Sequence, residues 1–261
     1  MRNPKALALI ESFRKIPAVE PEIYQFQSFT WSGFDTVVTG RNGGISPLPF
    51  NSLNLSANVG DSAKNVAGNF SRVMEATDIT EIWNPRQVHG DNVVIINSIT
   101  PANSLKGDAV ITNLKGLYTG VLTADCLPIL LAEPERKVVA AIHAGRRGCE
   151  KLIAAKVVNI MIKNFNCNPS KILAALGPCI RNCCYEVDAA TASKFSKNCG
   201  CTDGKYLDIV AASLGQLLSC GVNSKNVFDC SVCTSCDNAS FFSHRKDRNK
   251  TGRFLSAIAV R

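Results

Sequence analysis

Three residues far apart in the chain, His89, Cys126 and His143, could together form one catalytic site. Each stands where a strand-like pattern runs into a turn, in the segments QVHG (87–90), TADCLP (123–128) and IHAGRRG (142–148). The chain has three histidines in all, so two of them stand in these segments. Two imidazoles and one thiolate are a ligand set of catalytic zinc, which keeps a fourth position for water or substrate. The pattern therefore predicts a zinc site that could generate hydroxide near neutral pH.

The same residues would also suit a reaction without a metal. A cysteine thiolate is a nucleophile when a histidine acts as its base. Cys126 with a histidine offers that pair, and the spacing fits either chemistry. Asp125, next to Cys126, is expected to handle a proton or orient a ligand, with a plain turn residue as the other interpretation.

Three arginines near glycine-containing turns, Arg41, Arg147 and Arg245, are candidates for binding an anion. The planar guanidinium group matches the oxygens of phosphate or carboxylate. Arg147 is the strongest candidate, because it follows His143 by four residues in the same turn.

The cysteine-rich segment CSVCTSC (230–236) has a spacing that could hold an iron–sulfur cluster, and Cys179, Cys183 and Cys184 form a second group. Two cysteines of the first segment lie in or beside a predicted strand, whose side chains alternate between faces. No proline-marked fourth ligand follows. A structural pair or free thiols are therefore the prediction here.

The elements that must position these residues are strands and helices in irregular alternation. The predicted strands cover 34–39, 93–96, 116–124, 129–132, 138–144, 172–176, 227–232 and 255–260. The predicted helices cover 6–10, 150–165, 188–196 and 208–220, and a further helix capped by Asp61 carries Val66, Phe70, Val73 and Met74 on one face. Hairpin-like spacing beside helical crossovers favours a mixed sheet with helices outside it. No dinucleotide or phosphate-loop motif appears in the required setting.

Composition limits the class of protein. The 261 residues are 46% hydrophobic, and the longest apolar runs are strand-sized, which excludes a membrane-spanning helix. The apolar stretch at 6–10 is too short for a secretory signal, so a cytoplasmic protein is expected, with most of its twelve cysteines reduced. The formal charge of +8 comes without a nucleic-acid-binding module and suits a basic pocket for a small anion.

Several motifs in a fixed order make the chain, from about residue 34 to its end, resemble the laccase-domain proteins. That family was long described as polyphenol or multicopper oxidases and more recently as purine nucleoside phosphorylases. The motifs are TGRNGGIS (39–46), SLNL (52–55), QVHG (87–90), GDA (107–109), TADCLP (123–128), HAG (143–145), LGP (176–178), CCYEV (183–187), CTSC (233–236) and FFSHR (241–245).

The resemblance implies a mixed α/β fold, with one catalytic domain of stacked sheets at 31–261 after an N-terminal helical extension at 1–30. It also implies a likeness to bacterial toxin deamidase domains that use a Cys–His pair. The implied metal is zinc on His89, Cys126 and His143, and these three with Asp125 are the expected catalytic residues. The expected substrate-binding residues are Arg41, Gln87, Arg147 and Arg245.

The implied reaction is phosphorolysis of adenosine, inosine, guanosine and methylthioadenosine, with adenosine deamination as a second activity. Purine nucleosides and phosphate are then the partners, without nucleic acid or membrane, for a monomer or a homodimer. The alternatives are a metal-free Cys–His hydrolase or deamidase and a zinc-stabilised binding module without catalysis. Copper chemistry of the multicopper kind is excluded, because three histidines cannot supply both a trinuclear cluster and a Cys/His₂ site.

Two positions depart from the family pattern. Arg146 stands where the family usually has Trp, so a cation replaces a flat aromatic ring. His244 stands where the family often has Tyr, which keeps a ring with a polar edge.

Overall fold

Two mixed β-sheets stacked face to face form the centre of the protein. A computed structural model describes residues 13–17, 20–98 and 105–261. In chain order the strands are β1 (Phe13–Lys15), β2 (Ile23–Phe26), β3 (Phe34–Thr39), β4 (Ile82–Trp83), β5 (Val93–Ile96), β6 (Ala109–Thr112), β7 (Tyr118–Thr123), β8 (Leu127–Glu133), β9 (Val138–Ala144), β10 (Leu173–Leu176), β11 (Thr202–Asp203), β12 (Tyr206–Leu207), β13 (Val227–Asp229) and β14 (Phe254–Val260). The α-helices of the described residues are Gln27–Thr30, Ala63–Thr77, Arg146–Glu150, Ile153–Phe165, Ala189–Cys199 and Ile209–Ser219.

Both sheets combine parallel and antiparallel strands. Within the described residues the first sheet has the order β1-β2-β3-β14-β7-β4, and the second has the order β13-β10-β8-β9-β6-β5. The pairs β4–β7, β5–β6 and β10–β13 are parallel, whereas the other neighbours in these two sheets are antiparallel. The prediction of a mixed α/β fold is therefore confirmed.

Burial on both faces explains why the central strands are largely apolar, with Glu133 of β8 and His143 of β9 as buried exceptions. Along β8, Leu130 and Ala132 pack between the two sheets, while Ile129 and Leu131 pack against helices on the outer side, including Ile153–Phe165. Successive side chains of a strand point to opposite faces, so covering both faces requires a continuous apolar run.

The outer face of the first sheet is covered by the helix Ala63–Thr77. Val73 of this helix packs with Ile23, Val37 and Leu255 of the sheet. The order of layers is therefore helix, sheet, sheet, helices. No helix among the described residues is long and apolar enough to cross a membrane.

The N-terminal segment differs from the helical extension expected at 1–30. The predicted helix at 6–10 lies outside the described residues. Further on, β1 pairs with β2 and β2 pairs with β3, so this part of the chain extends the first sheet. Only Gln27–Thr30 is helical among the described residues before position 31. The pairing of Ile23 and Tyr24 with Thr39 and Val38 of β3 makes this segment a strand, and its end residues Ile23 and Phe26 are buried.

Three other boundaries differ from the prediction for local reasons. The helix expected at 150–165 is two helices, because Leu152 has a left-handed φ of 59° and breaks the hydrogen-bonding pattern. The strand expected at 227–232 ends at Asp229, since the chain turns at Ser231, where φ is 58°. The helix expected to be capped by Asp61 is capped by Ser62, whose hydroxyl accepts from the amide of Asn65.

Candidate metal and catalytic site

Strand register brings Cys126 and His143 to the same end of the second sheet. In the antiparallel pair β8–β9, Leu127 lies opposite Ala144 and Pro128 lies opposite His143. Cys126 directly precedes β8 and is therefore beside the last residues of β9. Asp108 joins them, because it directly precedes β6 and its carbonyl accepts a hydrogen bond of 2.7 Å from the amide of His143.

The carboxylate of Asp108 fixes both histidines. Its side chain is fully buried, and Oδ1 lies 2.8 Å from Nδ1 of His143. The same carboxylate accepts backbone N–H bonds from Val88, His89 and Gly90, at 2.9 Å for His89 and 2.6 Å for Gly90. An ionised carboxylate can only accept, so Nδ1 of His143 carries its proton and Nε2 remains for a ligand. The loop around His89 is held in place by the same group.

The three predicted ligands form one cluster. A donor atom from each of His89, Cys126 and His143 lies within 4.8 Å of the others. The two imidazole rings meet edge to face, with centroids 4.8 Å apart. Gly145 packs against all three, since a Cβ there would lie 3.1 Å from Sγ of Cys126 and 3.6 Å from a ring carbon of each histidine. The turn thus leaves the space in front of the donors free of a side chain.

Charge in this cluster favours an ionised thiol in the metal-free protein. Burial opposes ionisation of Cys126, but the adjacent His143 and His89 outweigh it and lower the pKa of Cys126 to about 6. Burial likewise disfavours the imidazolium of His143, but the thiolate of Cys126 and the carboxylate of Asp108 raise the pKa of His143 to about 9. Thiolate is the form of cysteine that binds metals and attacks electrophiles.

The cluster lies on the wall of a cavity of about 1020 Å³. The cavity is also lined by Leu122 and Thr123 of β7, so both sheets contribute to it. Arg86, Arg245 and Arg253 line it, and among the described residues Asp125 is the one acidic residue of the lining. A concave surface with this balance of charge suits an anionic or phosphate-bearing ligand.

Asp125 and Gln87 reach the cavity, but their polar groups already have protein partners. The carboxylate of Asp125 accepts from the hydroxyl of Thr234 at 2.6 Å and from the backbone N–H of Arg245 at 2.7 Å. The side-chain amide of Gln87 bonds both the N–H and the C=O of Leu122, each at 2.8 Å. Both residues hold the cavity wall together.

Of the three predicted arginines, only Arg245 lines the cavity. It donates to the carbonyls of Cys184 and Glu186 and lies over the ring of Tyr185. Arg41 is buried outside the cavity lining, where its guanidinium donates to the carbonyls of Asn51 and Asn238. The structure therefore does not bring Arg41 to the proposed phosphate position.

Arg147 is exposed at the start of the helix Arg146–Glu150 and is also outside the cavity lining. Its neighbour Arg146, the departure from the family pattern, is outside the lining as well and pairs with Glu150 at 2.7 Å. The turn after Gly145 therefore adds no arginine to the described residues that line the cavity.

Sequence reasoning missed Asp108, Arg253 and Tyr185 as functional residues. Asp108 was visible only as the middle of the GDA motif, and its partners are about 20 and 35 positions away. Arg253 is a cation of the cavity wall that donates to the carbonyls of Thr251 and Gly252. Burial lowers the pKa of Arg253, while Cys126 and Asp125 favour its charged form.

Comparison with known proteins agrees with this architecture. The family model of the multi-copper polyphenol oxidoreductase laccases matches residues 35–261. The purine nucleoside phosphorylase YlmD of Geobacillus stearothermophilus is 34% identical over 269 residues, covering 92% of this chain and 98% of that protein. The purine nucleoside phosphorylase YfiH of Escherichia coli is 36% identical over 232 residues, covering 84% and 90%.

Solved structures give the same result. The crystal structure of YlmD from Geobacillus stearothermophilus superposes with a TM-score of 0.88 at 30% identity, over 96% of this chain and 99% of that one. The structure of the hypothetical protein YfiH from Bacillus licheniformis gives a TM-score of 0.87 at 30% identity, over 95% and 99%. The chain belongs to the multi-copper polyphenol oxidoreductase laccase family.

Proposed function

We propose that this chain is a purine nucleoside phosphorylase whose reaction takes place in the cavity beside His89, Cys126 and His143. The observation that carries the proposal is the position of this ligand cluster on the wall of a large, arginine-lined cavity. The naming of relatives about 34% identical as purine nucleoside phosphorylases supports it. In the reaction a phosphate oxygen forms a bond to the anomeric carbon of the ribose, and the bond from that carbon to the base breaks.

The donor set is suitable for zinc. Mixed imidazole and thiolate ligands are typical of that ion, and three protein ligands leave a position for substrate. Gly145 provides the room, because a Cβ there would lie 3.1 Å from Sγ of Cys126 and 3.6 Å from a ring carbon of each histidine. Bound by His89, Cys126 and His143, zinc would supply Lewis-acid polarisation of an oxygen on phosphate or water.

The protein's own residues would position phosphate and stabilise charge. Arg253 and Arg245 lie on the cavity wall, and a guanidinium group can bind phosphate oxygens with two parallel hydrogen bonds. Preorganised charge of this kind stabilises a transition state without reorganisation during the reaction. Both arginines are already fixed by bonds to backbone carbonyls, so little side-chain freedom is lost on binding.

Aromatic and uncharged polar groups of the cavity lining would receive the base. Tyr185 offers an aromatic face, and Asn58 and Asn84 offer amides to the edge of a purine. Burial and the adjacent Arg253 lower the pKa of His244, so its imidazole is neutral at pH 7 and can both donate and accept a proton. We propose adenosine, inosine, guanosine and methylthioadenosine as substrates, with adenosine deamination as a second activity.

The test is phosphate-dependent release of free base from inosine and adenosine, before and after chelation, with metal content measured in parallel. We expect release to require phosphate, to stop on chelation and to be lost in His89→Ala. Val88→Ala is the matched control, because its exposed side chain lies in the same loop and its backbone bond to Asp108 remains. No base release from a protein that holds its metal would refute the proposal for these substrates.

A metal-free cysteine hydrolase or deamidase is the second candidate. The observation that favours it is the chain of contacts from Cys126 to His143 to Asp108, which has the order of nucleophile, base and orienting acid. In that case amide hydrolysis would survive chelation and the His89→Ala change, whereas Cys126→Ser would abolish it. Phosphorolysis and amide hydrolysis therefore respond in opposite ways to the same treatment.

A further inference from the structure

Four cysteines outside the candidate active site converge on one point of the surface. Cys183 and Cys184 come from the turn after β10, and Cys233 and Cys236 come from the turn after β13. Their four sulfur atoms all lie within 4.8 Å of one another. The separations are 3.4 Å for Cys184–Cys236, 3.7 Å for Cys183–Cys236 and 3.8 Å for Cys183–Cys184. All four are free thiols.

We propose that these four cysteines, the tetrathiolate cluster, bind a single zinc ion that is separate from the ion at His89, Cys126 and His143. Zinc bound by four thiolates is tetrahedral with zinc–sulfur distances of about 2.3 Å, which places the sulfurs about 3.8 Å apart. The separations of 3.4–3.8 Å among Cys183, Cys184 and Cys236 are close to that edge length, and the sulfur of Cys233 lies within 4.8 Å of the other three. An iron–sulfur cluster contains several iron and sulfide atoms between its cysteines and would hold them farther apart. The compact arrangement therefore suits one ion.

The backbone holds the two turns together independently of any ion. A β-bridge joins Cys179 to Cys233, and the amide of Thr234 donates to the carbonyl of Cys179 at 3.0 Å. Arg181, which follows in the first turn, donates to the carbonyl of Val232 and forms an ion pair with Asp229. The four thiols are thus brought together by the fold, as in a preformed site.

The tetrathiolate cluster lies directly behind the cavity wall. Tyr185, which lines the cavity, follows Cys184 in the chain, and the guanidinium of Arg245 donates to the carbonyl of Cys184. Thr234 stands between Cys233 and Cys236 and bonds the carboxylate of Asp125, the neighbour of Cys126. An ion at the cluster would fix these cavity residues, while Arg245 would offset part of the net negative charge of four thiolates and one divalent cation.

The test is the metal stoichiometry of the full chain, purified under reducing conditions and measured by elemental analysis and native mass spectrometry. We expect two zinc ions per chain in the unmodified protein, one in Cys126→Ser and one in Cys236→Ser. Cys199→Ser is the matched control, since Cys199 is also exposed and its thiol donates to the carbonyl of Phe195, outside the tetrathiolate cluster. It should keep two ions.

Two further measurements probe the ligand set directly, and the second of them uses the unmodified protein. Cobalt added to metal-free Cys126→Ser should give the intense sulfur-to-cobalt absorption of a tetrathiolate site, and zinc should displace it. Alkylation of Cys183 and Cys236 in the unmodified protein should be slow until a chelator removes the zinc. Peptide mass spectrometry identifies which cysteines react.

Three results would overturn the inference. The first is a single zinc per chain that Cys126→Ser removes completely. The second is a native mass lower by two hydrogens with Cys183 or Cys184 joined to Cys236 in a disulfide. The third is visible absorption of an iron–sulfur cluster in the purified protein. Because the second ion is counted in Cys126→Ser, failure of the proposed phosphorylase activity leaves this test unaffected.

Discussion

Replacing Asp108 by Asn should weaken metal binding, although Asp108 is not itself one of the three proposed metal ligands. Oδ1 of Asp108 faces the ring of His143 and the amide of His89, while Oδ2 faces the amide of Gly90 at 2.6 Å. An amide side chain has one oxygen and one NH₂ group. In either orientation the NH₂ group meets at least one N–H donor, so one hydrogen bond is replaced by a contact between two donors.

The magnitude follows from the number and kind of bonds lost. A hydrogen bond to a charged group contributes about 1.5–3 kcal/mol, and a buried donor left without a partner costs a further amount of about 1–3 kcal/mol. We therefore expect Asp108→Asn to lower the free energy of unfolding by about 2–4 kcal/mol. Loss of a residue that orients a metal-bound histidine lowers metal affinity about 10–100-fold. Base release should fall in proportion to metal occupancy.

The acid stability of the protein tests the same contacts. Burial opposes ionisation of Asp108, but His143 and the amides of Gly90 and Val88 outweigh it and lower its pKa below the ordinary 3.8. A depressed folded pKa contributes stability above pH 3.8, which is lost as the pH falls through the lower folded value. Asp108→Asn should be less stable at neutral pH and should lose less of its remaining stability on acidification.

The assay is competition with a chromophoric chelator for zinc, paired with denaturant unfolding of the metal-free protein. Asp208→Ala is the control, because Asp208 caps the helix Ile209–Ser219 and its loss should cost about 1 kcal/mol without changing metal affinity. If Asp108→Asn binds zinc within twofold of the unmodified protein, the role given to this carboxylate is wrong.

Four further changes test the site. Gly145→Ala should lower zinc affinity in the same competition assay, since its Cβ would lie 3.1 Å from Sγ of Cys126 while the φ of −72° permits alanine. Arg253→Gln should raise the KM for phosphate about tenfold or more in initial-rate assays, because a charged hydrogen-bond donor is lost. In the metal-free protein the thiolate of Cys126 should persist above pH 6 and be lost below it, because its pKa is lowered to about 6. The pH dependence of Cys126 alkylation, followed by mass spectrometry, measures this. Arg146→Trp should change the free energy of unfolding by less than about 0.5 kcal/mol and should hardly alter kcat/KM for inosine, since the ion pair lost is partly exposed and outside the cavity lining.

Two of these changes have a matched control within the chain. Gly215→Ala adds a Cβ that meets nothing within 4 Å and should leave zinc affinity unchanged. Arg41→Gln removes a buried cation outside the cavity lining, so it should reduce stability without raising the KM for phosphate. Equal behaviour of a variant and its control would contradict the site as described.

The part of the site that could be predicted from sequence is the part encoded by local pattern. Apolar runs ending in turns indicated that Cys126 and His143 stand at strand ends. His89 was a candidate ligand because it is one of only three histidines in the chain and stands in a similar segment. Strand register then brought the three together. The layers of the fold were predictable for the same reason, because a seven-residue strand buried on both faces is apolar along most of its length.

The part that could not be predicted depends on partners distant in sequence. Arg41 in a glycine-rich turn has the composition of a phosphate site, but a carbonyl 197 positions away accepts its hydrogen bond. Gln87 looks like a substrate ligand, yet its amide completes the edge of β7 at Leu122. Asp108 carries no local signal of its importance, since its role lies in four bonds to two other segments. Polar side chains that hold loops together and those that bind substrate have the same sequence signature.

The name of the family suggests a copper oxidase, whereas the potential ligands in the cavity suit a different metal site. The number of histidines decides between these two interpretations. Copper oxidases of the multicopper kind need a histidine-rich trinuclear cluster and a separate Cys/His₂ site. This chain has three histidines, and all three line the same cavity, two as ligand candidates and His244 on the wall beside Arg253. One mixed imidazole and thiolate site can be built from them, and a second cannot. The other group of potential ligands that converges within the described residues consists of thiols alone and is the tetrathiolate cluster.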